Sequence, residues 1–259
     1  MRSILCPADN ASTLDDRVET ALAWARIARG HVTFQIATPF ATMAIWEPFG
    51  GAALSAEVIN EVRAADEQLG VDLDKRLAPQ DVAYDVVLVD QGRIEGVAAA
   101  ARFTDLIVAS LDDPALEEIA LGSRCPVLAL PQGVPMLTFD CPVLLAWDGG
   151  HESAAAMRAA LPLLARASAV HILTVRDKED SYPARDAACY LSRHDIHAEV
   201  HETERHGTIA ATIAETAREL GAGLIVMGLF GKSRLRELLL GGVSRELLDK
   251  SLVPLLLAH

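Results

Sequence analysis

Ser3-Ile4-Leu5-Cys6-Pro7-Ala8-Asp9 and Pro142-Val143-Leu144-Leu145-Ala146-Trp147-Asp148 decide the fold, because each is an apolar run ending in an aspartate and each opens the same series of elements. A helical stretch follows each, over 15–28 and 152–166, and then an apolar strand, over 32–37 and 170–175. Thr104-Asp105-Leu106-Ile107-Val108-Ala109-Ser110 next corresponds to Ala222-Gly223-Leu224-Ile225-Val226-Met227-Gly228. Cys125-Pro126-Val127-Leu128-Ala129-Leu130 finally corresponds to Leu252-Val253-Pro254-Leu255-Leu256-Leu257. Such self-similarity is an internal repeat. It predicts two tandem domains, 1–131 and 141–259, with a linker over 131–140 that carries two prolines and a glycine.

The strands are near-continuous runs of Val, Ile, Leu and Ala, the pattern of strands buried on both faces of a parallel sheet. The expected fold is α/β: two tandem open parallel five-stranded sheets with helices on both faces, Rossmann-like. Ligands of such sheets sit beyond the carboxyl ends of strands, where the strand order switches. Asp148 and Gly228 both fall at such ends, so they are expected to face one cleft.

Met227-Gly228-Leu229-Phe230-Gly231, nine further residues and Gly241-Gly242-Val243-Ser244 link a strand over 223–227 to a helix over 243–251. Glycines let main-chain N–H groups approach an anion, and a helix start offers unpaired N–H groups and the positive end of its dipole. Ser244 adds a hydroxyl as cap or phosphate ligand. Two familiar motifs are excluded by register. Gly231-Lys232-Ser233 imitates the end of a Walker A loop, but the glycine needed five positions earlier is Val226. Gly221-Ala222-Gly223 precedes its strand, so it is no dinucleotide fingerprint. The competing reading is that these glycines only make turns and a close helix–strand contact.

The 259 residues suffice for two ordinary cores. A net charge of -13 argues against nucleic acid or an anionic membrane as partner. The sequence carries neither a signal-peptide pattern nor an apolar run of about 20 residues, so a soluble, cytoplasmic protein is expected. Cys6, Cys125, Cys141 and Cys189 are scattered without a Cys-x-x-Cys, as reduced side chains would be.

On these residues the chain resembles the universal stress protein family in a tandem arrangement. The family's signature, Gly-x2-Gly-x9-Gly-Ser/Thr, reads here Gly228, Gly231, Gly241 and then Gly242, which replaces the hydroxyl residue while keeping its backbone N–H. The resemblance implies an adenine-nucleotide alpha-hydrolase-like fold. It also implies a stress-response regulatory module binding ATP or a related adenine nucleotide, with Mg as counter-ion. By position, Asp148 and Val175 would line the adenosine pocket with Met227 beside the base, and Gly228, Gly231, Gly241, Gly242, Val243 and Ser244 would hold phosphates. Trp147 either narrows that pocket or stacks on a base, or is a core aromatic at a strand end. The family's pairing through last strands implies an intramolecular pseudo-dimer joining 126–130 to 253–257; a homodimer of whole chains is compatible with it. The protein partner is unknown.

The N-terminal half differs. Fourteen residues separate Ser110 from Cys125, against 24 between Gly228 and Val253, and Leu111-Asp112-Asp113-Pro114 replaces glycines with carboxylates that repel phosphate. At most one nucleotide site per chain is therefore expected, in the C-terminal domain, with the N-terminal domain serving structure or partner binding. An insertion over 39–54, carrying Met43, Ile45, Trp46 and Phe49, is expected either to cover a cleft or interface or to pack on its own domain.

No enzyme is marked beyond slow ATP hydrolysis at most. Asp148, His151 and Ser153 match a hydrolase set by type, but they crowd one strand–helix turn without a nucleophile elbow. His194, His197, His201 and His206 form a loose cluster; His197 and His201 are expected to share one face of a strand, yet no third ligand is fixed and no metal is assigned. Lys232, Arg234 and Arg245 are the nearest cations for phosphate, or solvated helix charges. Nothing places Glu237 or Glu246 against a water. The alternative function is a nucleotide-free adaptor or chaperone-like module in which the glycine loop is structural.

Overall fold

The computed structural model describes residues 1–45, 56–133, 138–176, 183–229 and 242–259. The chain divides into two compact units, one of residues 1–109 and 117–125, the other of residues 110–116 and 126–259.

The first unit runs β1 (Ser3–Ala8), α1 (Leu14–Ala28), β2 (His31–Ala37), α2 (Phe40–Ile45), α3 (Ala56–Leu77), β3 (Ala83–Val89), α4 (Arg93–Ala100), β4 (Leu106–Ser110) and α5 (Leu116–Ser123). Its strands lie in the order β3-β2-β1-β4, all parallel. Every residue from Ile4 to Ala8 and from Leu106 to Ser110 is buried. Successive strand residues point to opposite faces, so unbroken burial means that both faces of these strands are covered. The edge strand β3 is instead mostly exposed, Val87 and Leu88 included. Of the insertion over 39–54, α2 is described, whereas Trp46 and Phe49 lie outside the described residues.

The second unit runs β5 (Val127–Leu130), β6 (Val143–Ala146), α6 (His151–Leu164), β7 (Val170–Arg176), α7 (Ala184–Ser192), β8 (Glu199–Glu204), α8 (Ile209–Glu219), β9 (Leu224–Gly228), α9 (Gly242–Lys250) and β10 (Leu255–Ala258). Five strands are parallel in the order β10-β9-β6-β7-β8. β5 pairs antiparallel with β10, Leu255 opposite Ala129 and Leu257 opposite Val127. These are the two short apolar last strands of the repeats, and their union removes an aggregation-prone edge.

The last strands begin later than their apolar runs suggest, at Val127 and Leu255. Pro126 and Pro254 have no N–H to offer a ladder. A serine turn precedes each: the Ser123 hydroxyl bonds with both the N–H and the carbonyl of Cys125, and the Ser251 hydroxyl does the same with Val253. Among the described residues, no helix is long and apolar enough to cross a membrane.

Candidate functional site

The second unit's strand order switches direction at β6. The chain passes from β6 through α6 to β7 on one side and later returns to β9 on the other, so the crevice lies between the carboxyl ends of β6 and β9. Their register aligns Val143 with Leu224 and Leu145 with Val226, which sets the two ends side by side. Asp148 follows β6 and is exposed; its Oδ1 accepts the Gly150 N–H at 2.8 Å, its hydrogen bond among the described residues. Val175, near the end of β7, is half-buried, and Met227 is buried at the end of β9.

Gly228 closes β9 under a tight constraint. A Cβ there would lie 2.4 Å from the Glu152 carbonyl carbon and 2.6 Å from the Ser153 nitrogen, both backbone atoms of α6. The close helix–strand contact weighed against a phosphate role is thus present at Gly228. Gly242, the first residue of α9, is exposed, and a Cβ there would meet nothing within 4 Å. Val243 is half-buried and Ser244 buried. Gly231 and Gly241 lie outside the described residues, as do Phe230, Lys232, Arg234 and Glu237. Trp147, beside Asp148, is only 7% exposed and belongs to the buried core.

In the first unit the corresponding aspartate has a different fate. Asp9 Oδ1 receives the Arg17 guanidinium at 2.5 Å and Oδ2 receives Arg93 at 2.6 Å, while the Ala11 N–H donates at 3.1 Å. Arg17 is 1% exposed and also donates to the carbonyls of Pro7 and Thr13. Burial pushes the Asp9 carboxyl up, but the two guanidiniums and the hydrogen bonds outweigh it and hold the group below its ordinary value. The helix after β6 has Ala154, Ala155 and Ala156 where α1 has its arginine, so Asp148 has no such neighbour on α6. Arg17 and Arg93 were not legible as site residues. The only available signal was a charge on the buried stripe of α1.

The loop after β4 is a short turn. Asp113 donates its N–H to the Ser110 carbonyl at 3.2 Å, and its Oδ1 accepts from Ala115 at 3.0 Å just before α5. The two carboxylates expected to repel phosphate are thus part of a tight turn.

The remaining sequence candidates separate. The Ser153 hydroxyl donates to the Gly150 carbonyl at 3.0 Å and Asp148 takes the Gly150 N–H, so neither is engaged with His151. Glu246 is hydrogen-bonded to Thr208 and Lys250, which hold it below the usual carboxylate range. The His206 N–H donates to Thr212 Oγ1 at 2.9 Å.

The expectation that His197 and His201 share a strand face is corrected, because β8 begins at Glu199 and leaves His197 outside it. His201 meets His171 instead, a residue that the sequence hid inside the apolar run of β7. Their Nε2 and Nδ1 atoms are 3.1 Å apart.

Burial raises the thiol of Cys6 to about 11 and that of Cys125 to about 12. None of the four cysteines forms a disulfide.

Comparison with known proteins adds the family. Residues 142–259 match the family model described as Universal stress protein family. A search of curated protein sequences finds no match. Among solved structures, a universal stress protein from Archaeoglobus fulgidus is similar with a TM-score of 0.78 at 17% identity, over 99% of this chain and 97% of that one. A universal stress protein, so described, from Pseudomonas aeruginosa gives 0.63 at 17% identity over 100% and 93% of the two chains. A functionally unknown protein from the same species gives 0.61 at 18% over 100% and 92%. Identities this low speak for fold alone. Residues 142–259 therefore belong to the universal stress protein family, and the chain as a whole shares the fold of universal stress proteins of the same length.

Proposed function

We propose that this chain is a stress-response regulatory module that binds one ATP, or a related adenine nucleotide, in its C-terminal domain. The domains are bounded at 1–131 and 141–259 and joined as an intramolecular pseudo-dimer through β5 and β10. The nucleotide lies at the switch between β6 and β9, with Asp148, Val175 and Met227 around the adenosine. Gly228, Gly231, Gly241, Gly242, Val243 and Ser244 hold the phosphates, with Mg2+ as counter-ion. The observation that carries this reading is the contrast between the two strand-end aspartates. Asp148 is exposed and, among the described residues, accepts one backbone N–H, whereas Asp9 is held by two guanidiniums of its own chain. Gly242 supports it too: an exposed glycine opens α9, where main-chain N–H groups and the helix dipole favour an anion. The bound nucleotide alters the domain's contacts with a protein partner and is turned over slowly at most. The setting is the cytoplasm.

The second reading, an adaptor whose glycine loop is structural, draws on one observation: Gly228 is required by the passage of α6 whether or not a phosphate binds. Mass spectrometry of small molecules released from freshly purified protein separates the two. An adenine nucleotide in the released fraction, together with a melting temperature that rises with added ATP, supports the first reading. A ligand-free chain whose melting temperature ignores millimolar ATP supports the adaptor.

A further inference from the structure

At the opposite end of β7 from the proposed nucleotide site, the register of two strands gathers three side chains of metal-ligating type. His171 stands opposite Glu199 in the parallel β7–β8 pair, and His201 follows Glu199 by two residues. Residues two apart in a strand share a face, and a residue directly opposite shares it with them. His171 Nδ1 and His201 Nε2 are 3.1 Å apart, His171 Nδ1 and Glu199 Oε2 3.5 Å, and His201 Nε2 and Glu199 Oε2 3.8 Å. The circle through three points with these sides has a radius of about 2.0 Å, and Zn2+ bonds imidazole nitrogen and carboxylate oxygen at about 2.0–2.2 Å. An ion at or just above the centre of the triangle meets all three donors at bonding distance without movement of the backbone.

We propose that His171, Glu199 and His201 form a binding site for a divalent transition metal of the zinc class. Two imidazoles and one carboxylate suit such an ion, whereas Mg2+ and Ca2+ favour sites built from oxygen. The fourth position is open to water: the His171 side chain is 11% exposed, but those of His201 and Glu199 are 33% and 62% exposed. Glu199 also borders a cavity of about 310 Å3 together with Val170, Asp195 and His197. The ion ties the edge strand β8 to β7, a cross-link that sheet hydrogen bonds alone do not supply.

Isothermal titration of Zn2+ into the untagged, chelator-stripped full chain tests this, with Co2+ as a spectroscopic stand-in. The expected result is one ion per chain, with visible Co2+ bands of four-coordinate strength and no thiolate charge-transfer band. His201→Ala and Glu199→Gln, changes at partly exposed positions, are each expected to weaken binding by more than about tenfold, while His197→Ala and Cys189→Ser leave it unchanged. The proposal is overturned if the stripped chain takes up no stoichiometric Zn2+. It is overturned equally if His201→Ala and Glu199→Gln chains, folded by circular dichroism, bind as the parent does, for the two rings would then share only a hydrogen bond.

Discussion

Replacing Asp9 by alanine leaves the Arg17 guanidinium buried without its carboxylate. Arg17 is 1% exposed, and its ion pair with Asp9 spans 2.5 Å. Removing one partner of a fully buried pair costs about 3–5 kcal/mol because a buried charge is left uncompensated. Two features reduce that figure here. The Asp9 side chain is 33% exposed, and Arg17 keeps the carbonyls of Pro7 and Thr13 as acceptors. The expected loss is therefore about 2–3 kcal/mol, a fall of about 1–1.5 M in the urea midpoint of the first unit for an m-value of about 2 kcal/mol/M. Urea titration followed by circular dichroism, fitted with one transition per unit, measures it. The same ion pairs carry a pH signature. Because the folded Asp9 titrates below its ordinary value near 3.8, its stabilisation is complete above that value and is lost as pH falls through the folded one. The parent is expected to lose midpoint below about pH 4 more steeply than the variant. A second substitution, Asp9→Ala with Arg17→Met, should recover much of the loss by removing the stranded charge. An Asp9→Ala midpoint equal to the parent's, or a double variant no more stable than the single one, refutes the reasoning.

Gly228→Ala sets a Cβ 2.4 Å from the backbone of α6 and is expected to destabilise the second unit by about 1–3 kcal/mol; a urea midpoint within error of the parent's would show that α6 yields freely. The folded His171 titrates below its unfolded value near 6.5, so the metal-free chain binds fewer protons there than its unfolded state does and loses stability as pH falls below that value. His171→Gln should flatten this slope in urea titrations between pH 7 and 5, and an unchanged slope contradicts it. Timed alkylation of the native chain at pH 8 is expected to modify exposed Cys189 first and the buried Cys6 and Cys125 last, since their thiols titrate at about 11 and about 12; peptide mapping that finds Cys6 modified as fast as Cys189 overturns that order.

The central strands were legible because burial on both faces writes itself as an unbroken apolar run. β1, β4, β6, β9 and the last strand of each repeat all carry one. The edge strands were less legible: β3 has no expected range, and β8 is expected only around its histidines, with a start two residues too early. β3 reads Ala-Tyr-Asp-Val-Val-Leu-Val and β8 reads Glu-Val-His-Glu-Thr-Glu, with most of their side chains in solvent, so neither shows the signal of a buried strand. The positions of Asp148 and Gly228 at strand ends could be read because a strand end is a local feature. The capture of Asp9 by Arg93 spans 84 residues and that by Arg17 spans one turn of loop and helix; both depend on how α1 and α4 pack. The His171–His201 pair was hidden for the same reason. It rests on a strand register 30 residues apart in sequence, and the histidines that looked clustered along the chain are separated by the start of β8.

Equilibrium dialysis of labelled ATP with Mg2+ against the 259-residue chain addresses the central claim most directly. One ATP per chain is predicted, with binding lost in Gly241→Asp, which adds bulk and negative charge to the glycine loop, and retained in Arg93→Lys, which keeps the charge beside Asp9. Two ATP per chain, none at millimolar ATP, or undiminished binding by Gly241→Asp would contradict a single site in the C-terminal domain.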